Sequence, residues 1–149
     1  MGEGRDIKLR PLHPLDDSAL ARVIREALVE LGADRPGFAW QDPELDAMSQ
    51  AYELSGSIYF VVVKAGMVVG GAGIGPLRGV ADTCELQKMY LAPSLRGQGI
   101  GWRLMGILLE QARVMGYRWV YLETLTGMVA ILSFEDAPYK APKYDCVLD

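Results

Sequence analysis

Residues 84–115 read CELQKMYLAPSLRGQGIGWRLMGILLEQARVM. An apolar strand runs to Leu91 and stops before Pro93. Arg96 follows, and then three glycines within five residues: Gly97, Gly99 and Gly101. Behind them Ile100, Leu104, Ile107, Leu108 and Met115 fall close to one face of a helix. A glycine-rich turn that opens a helix points several unbonded N–H groups at one spot. The helix dipole adds partial positive charge there, and glycine lets backbone come close to a ligand. A phosphate group is the guest that suits such a place.

Working outward, the strand ahead of this loop covers residues 82–91. It is preceded by a hairpin: residues 57–64 (SIYFVVVK) are β-branched and aromatic, Ala65-Gly66 makes the turn, and residues 67–74 return. Nearer the N-terminus, residues 7–12 alternate as a strand closed by Pro14. A helix follows, with Asp16 or Asp17 as cap, Leu20, Val23, Ile24, Ala27, Leu28 and Leu31 at helical spacing, and Gly32 at its end. Residues 33–42 form a loop carrying Phe38 and Trp40. Pro43 starts a second helix that reaches about Leu54. After the loop, the helix covers roughly residues 99–115. Residues 118–125 (RWVYLETL) read as a strand, residues 127–135 as a short helix, and residues 144–148 as a last strand. The order β-α-α-β-β-β-α-β-α-β predicts an α/β domain with a mixed sheet, spanning residues 1–149 as one unit.

Gly70, Gly71, Gly73 and Gly75 form a second glycine-rich run. Pro76 follows it where a dinucleotide-binding turn needs an amphipathic helix. The run therefore reads as a glycine-weakened strand that another backbone or a ligand approaches closely.

The composition is that of an ordinary globular domain. Half of the 149 residues are apolar, and 15 basic against 19 acidic residues give a net charge of −4. That balance argues against nucleic acid as the main partner. Cys84 and Cys146 lie far apart with no metal-ligand spacing, and there is a single histidine, His13. No apolar run approaches membrane-spanning length, and the first ten residues hold no apolar core of a secretory signal. A reduced, cytoplasmic protein with no membrane partner and no metal is expected.

The run Arg96-Gly97-Gln98-Gly99-Ile100-Gly101 after Leu91-Ala92-Pro93 resembles the acetyl-coenzyme A signature of the GNAT N-acetyltransferase superfamily. The likeness extends from about residue 66 to residue 134. It implies a mixed, mostly antiparallel central sheet flanked by helices. It implies acetyl-CoA as co-substrate and transfer of its acetyl group to a primary amine of a small molecule or peptide, by direct attack in a ternary complex. Cofactor contacts would come from Met89, Tyr90 and Leu91 on the strand, and from Arg96, Gly97, Gln98, Gly99, Ile100, Gly101 and Trp102 at the loop. In the family, backbone groups at the strand positions hold the thioester carbonyl and the pantetheine arm. Such donors stabilise a developing oxyanion.

Glu85 is the candidate general base, since a Glu at this spacing serves so in some members. The competing reading puts it on a solvated strand face or in a pair with Arg or Lys. Arg96 could neutralise phosphate. Tyr90, Tyr121, Glu123, Phe38 and Trp40 are candidates for the acceptor side. Members often carry a late tyrosine that protonates the leaving thiolate; here Phe134 or Glu135 falls at that place, with Tyr139 as a substitute. The C-terminal strand pair also looks shortened, which leaves an edge that a second copy in a homodimer could complete. The missing tyrosine keeps a second reading open, a non-catalytic acyl-CoA-binding module. A nucleotide-binding domain of another kind lacks the lysine that a P-loop requires.

Overall fold

The computed structural model describes residues 6–32, 42–123 and 129–133. The first strand, β1 (Ile7–Pro11), leads to helix α1 (Asp17–Glu30) and the single helical turn α2 (Met48–Ala51). Strands β2 (Ile58–Lys64), β3 (Met67–Pro76) and β4 (Thr83–Leu91) follow, then helix α3 (Ile100–Val114) and strands β5 (Trp119–Glu123) and β6 (Val129–Ser133). The six strands lie in sequence order in one sheet. Every neighbouring pair is antiparallel except β4 and β5, which α3 joins as a parallel crossover. The expectation of a mixed, mostly antiparallel sheet flanked by helices holds.

The sheet alternates its side chains between two cores. Phe60, Val62, Ile74, Cys84, Leu86 and Leu91 pack with Leu104 and Leu108 of α3. Tyr59, Val61, Val63 and Tyr90 pack on the opposite side with Leu20, Ile24 and Leu28 of α1 and with Met48. The period-two pattern of β2 thus feeds both cores at once. Along α3 the buried stripe is Ile100, Leu104, Met105, Leu108, Leu109 and Ala112. Met115, placed on that face by spacing, is exposed beyond the helix end. Asp17 ties the two N-terminal helices together: its carboxylate accepts from the Ser49 N–H at 2.9 Å and from the Ser49 hydroxyl.

Two expectations are corrected. Residues 43–54 do not form one helix: a tight 3-10 turn, Pro43–Ala47, runs into the four residues of α2. The short helix expected at residues 127–135 is, over residues 129–133, strand β6. Each of its residues has a partner on β5, from Glu123 opposite Val129 to Trp119 opposite Ser133. The β-branched Val129 and Ile131 suit a ladder, and the free edge of β5 offers one, so pairing overrides the local helical reading. The element order over the described residues is therefore β-α-α-β-β-β-α-β-β. Phe38, Trp40, residues 134–139 and the strand expected at 144–148 lie outside the described residues.

Candidate active site

Strand β4 is the spine of the site. Its ladder with β5 covers Thr83–Trp119, Cys84–Val120 and Glu85–Tyr121. Past Glu85, β4 runs on to Leu91 along β3, while β5, paired with β6 along its whole length, is described only to Glu123. From Leu86 to Leu91, the stretch that holds Met89, Tyr90 and Leu91, β4 therefore has no ladder partner on its β5 side among the described residues. The Met89 and Leu91 side chains are buried in the α3 core.

A β-bulge shapes this part of the strand. Gly71 pairs with Tyr90 and Gly73 with Gln87, so two β4 residues face one on β3. Lys88 takes the strain at φ +48°, a value that non-glycine residues adopt at a cost. The Lys88 carbonyl accepts the buried Tyr59 hydroxyl at 2.7 Å, and its ammonium pairs with Glu44 at 3.1 Å. Lys88 is thus a bulge residue with an ion-pair partner. The bulge shifts the alternation by one, which puts Tyr90 on the same side of the sheet as Glu85 and Gln87.

Two side chains of the loop after β4 bond back to the protein itself. Arg96 Nε donates to the Leu91 carbonyl at 3.2 Å, and Nη2 donates to the same oxygen at 3.0 Å. The outer edge of the guanidinium pairs with both carboxylate oxygens of Glu30 at the end of α1. Most of the Arg96 donors are therefore spent tying the loop to β4 and α1. Gln98 Nε2 donates back to the Ser94 carbonyl at 2.7 Å.

Arg96 and Gln98 are thus engaged within the protein, and between and after them the glycines leave main chain uncovered. Gly97 and Gly99 sit at φ +76° and +77°, in the left-handed region, and a Cβ on either would meet nothing within 4 Å. Gly99 is the N-cap of α3 and contributes no side-chain cap, and the first turn carries no acidic residue. The positive end of this fifteen-residue helix thus has no acidic residue in its own first turn to compensate it. Ile100 and Gly101 are buried and Trp102 is half-buried. This fits a phosphate group: backbone donors, a positive dipole end, and open space in front of them.

Glu85 is half-buried on the α1 side of the sheet. Its neighbours in the sheet are Gly75 on β3 and Tyr121 on β5. Its Oε1 accepts from Gln87 Nε2 at 3.0 Å, so its partner is an amide rather than the Arg or Lys of the competing reading. Tyr121 donates to Glu123 at 3.0 Å; that carboxylate, then burial and the charges of Glu123 and Glu85, raise the phenol. Burial raises Tyr90 as well. Cys84 is fully buried and burial pushes its thiol up to about 12, which leaves it inert as a nucleophile.

The comparisons with known proteins match this architecture. The profile of the Acetyltransferase (GNAT) family matches residues 25–133. This chain belongs to the GNAT acetyltransferase family. Acetyl-CoA is the GNAT co-substrate, and the chain is accordingly an acetyl-CoA-dependent acetyltransferase. It is 48% identical over 140 residues to the uncharacterized N-acetyltransferase YjgM of Escherichia coli K12, over 88% of this chain and 83% of the relative. Among solved structures, yncA of Salmonella typhimurium, determined with its cofactor acetyl-CoA, superposes with a TM-score of 0.64 at 25% identity, over 78% of this chain and 68% of that one. A GNAT acetyltransferase from Brucella melitensis in complex with acetyl-CoA gives a TM-score of 0.66 at 22% identity, over 86% and 88%.

Some features of this GNAT site were not read from the sequence. Gln87 and Tyr52 beside Glu85, Glu30 as partner of Arg96, and the bulge at Lys88 all emerge from pairing between distant segments. The alternate glycines Gly71, Gly73 and Gly75 were the available signal. Glycine at every second strand position clears one face of the sheet for bulky neighbours.

Proposed function

We propose that the protein transfers the acetyl group of acetyl-CoA to a primary amine by direct attack, with both substrates bound together. The observation that carries this reading is the placement of a glycine loop at a helix N-terminus, at the end of the strand whose ladder with β5 stops at Glu85. From Leu91 back to Glu85 the strand covers roughly 20 Å, a length suited to a long, thin co-substrate. The backbone from Gly97 to Trp102 receives the pyrophosphate, and backbone groups of β4 from Met89 to Leu91 receive the pantetheine arm and the thioester carbonyl. Arg96 braces the loop and leaves phosphate binding to the main chain.

Acetyl-CoA supplies an activated acyl group on a thioester. The amine arrives as an ammonium with a pKa of about 10.4 and must lose a proton before its lone pair is available. Glu85, directly or through a water, accepts that proton. Amine nitrogen then bonds to the carbonyl carbon as the carbon–sulfur bond breaks, and the thiolate takes up a proton as coenzyme A leaves. β4 N–H groups hold the oxygen on which negative charge grows.

The experiment is thiol release from acetyl-CoA with n-butylamine, spermidine, free amino acids and short peptides as acceptors, for the wild type and Glu85→Gln. Amine-dependent release in the wild type, lowered by roughly 10²-fold or more in the variant, supports the reading. Equal release by both proteins at every pH removes Glu85 from the mechanism.

A further inference from the structure

Glu85 is held from behind by two residues. Gln87 Nε2 donates to Glu85 Oε1 at 3.0 Å, and Gln87 Oε1 accepts from the Tyr52 hydroxyl at 2.7 Å. An amide has a donating end and an accepting end, and its second partner decides which end faces the first. Tyr52 stands at the end of α2, buried in the α1-side core, with its ring centroid 5.1 Å from that of Tyr59. Burial, with the nearby charges of Glu44 and Glu85, holds its hydroxyl far above the ordinary range, so it stays a donor. A phenol that donates to Oε1 turns Nε2 toward Glu85.

The strand opposite is cut to fit this arrangement. Gly73 pairs with Gln87, and Gly75 with Glu85. A Cβ at Gly73 would lie 2.8 Å from Tyr52 Cε1, and one at Gly75 would lie 3.2 Å from Gln87 Oε1. Side chains at those two positions would push the tyrosine and the amide out of line. Among the described residues, Glu85 Oε2 has no hydrogen-bond partner of its own.

We propose that Tyr52 and Gln87 are positioning residues: the chain of hydroxyl, amide and carboxylate fixes Glu85 through Oε1 and keeps Oε2 for the acceptor amine's proton. The proposal deepens the assignment of Glu85 as base and rests on it. A carboxylate on a flexible stem spends most of its time in unproductive rotamers, and a held one presents the same oxygen throughout. Neither Tyr52 nor Gln87 needs to touch the substrate.

Two readouts test it. In protein labelled with ¹⁵N in glutamine side chains, the Gln87 Nε2 protons, assigned by their loss in Gln87→Leu, should be shifted and slow to exchange. Both Tyr52→Phe and Glu85→Gln should move them. A solvent-like signal unmoved by either variant would overturn the chain. In thiol release with n-butylamine as acceptor, Tyr52→Phe should lower kcat/KM roughly tenfold, a part of the 10²–10⁴ that a base supplies, with acetyl-CoA affinity unchanged. The same substitution in a Glu85→Gln background should cost nothing more, because it acts through that carboxylate. A full additional loss there would show a general structural role and overturn the proposal. Wild-type turnover in Glu85→Gln would overturn the base assignment and the proposal together. A loss in Glu85→Gln with none in Tyr52→Phe would overturn the positioning role alone.

Discussion

Replacing Gly73 by alanine tests how closely β3 is fitted to the site. The new methyl carbon would lie 2.6 Å from Tyr59 Cδ2, 2.8 Å from Tyr52 Cε1 and 3.0 Å from the Ile58 carbonyl oxygen. One of these is backbone in the middle of the sheet, and the others belong to two rings packed on each other. Nothing nearby is the loose end of a flexible side chain. Overpacking of this kind costs about 1–3 kcal/mol. Shifting Tyr52 also breaks its bond to Gln87, worth about 1 kcal/mol net. The sum is about 2–4 kcal/mol, which for a chain of this size lowers the midpoint of thermal unfolding by roughly 4–16 °C. Gly106→Ala is the matched control: a helix-interior glycine with nothing within 4 Å of its built Cβ. It should gain about 0.5–1 kcal/mol, the ordinary advantage of alanine over glycine in a helix. Calorimetry of the three proteins decides the matter. A Gly73→Ala midpoint within a degree of the wild type would refute the packing argument.

Further expectations follow from other parts of the structure. Asp16 accepts from Arg10 at 2.7 and 2.9 Å and from the His13 N–H at 2.9 Å, and the Arg10 bond is the main cause that holds its carboxyl below the usual range. A carboxylate lowered in the folded state adds stability above its unfolded pKa and loses it as pH falls through the folded value. Asp16→Asn should therefore cost about 2 kcal/mol at neutral pH, constant down to about pH 4 and shrinking below it; urea titrations across pH would show a flat difference if the pair contributes nothing. Arg96→Lys should weaken the brace between β4, the loop and α1, since an ammonium cannot bridge Leu91 and Glu30 as the guanidinium does. Hydrogen exchange at residues 96–99 should quicken, and unchanged protection would argue against the brace. Cys84, buried and with its thiol raised to about 12, should take iodoacetamide only after unfolding, as read by mass spectrometry.

The parts legible in the sequence were those carried by local chemistry. Strand β2 announces itself by β-branched and aromatic residues. Helix α3 shows its buried stripe and its glycine N-terminus within a few residues of each other. The proposal that the loop receives phosphate rests on the same short stretch. What was not legible depends on partners far along the chain. Val129 to Ser133 become a strand because β5 has an open edge, which no local pattern reports. Nothing near Arg96 in the sequence reports that it ties the loop to Glu30, 66 residues away. Gln87 gives no sign of its place between Tyr52 and Glu85 until β3 and α2 are packed against it. The spaced glycines of β3 were a partial sign, since they told of close approach without telling by what.

The central claim is that a bare glycine loop at the start of α3 holds the pyrophosphate of acetyl-CoA. Isothermal titration of acetyl-CoA into the wild type, Gly99→Ala and Gly99→Glu tests it most directly. Both variants pay the same left-handed backbone cost of about 1–2 kcal/mol, and both side chains enter open space, so only the glutamate adds charge where phosphate would sit. The account predicts micromolar binding by the wild type, on the order of −8 kcal/mol, weaker binding by Gly99→Ala, and no heat with Gly99→Glu. Equal binding by the wild type and Gly99→Glu, or none by the wild type, would contradict it.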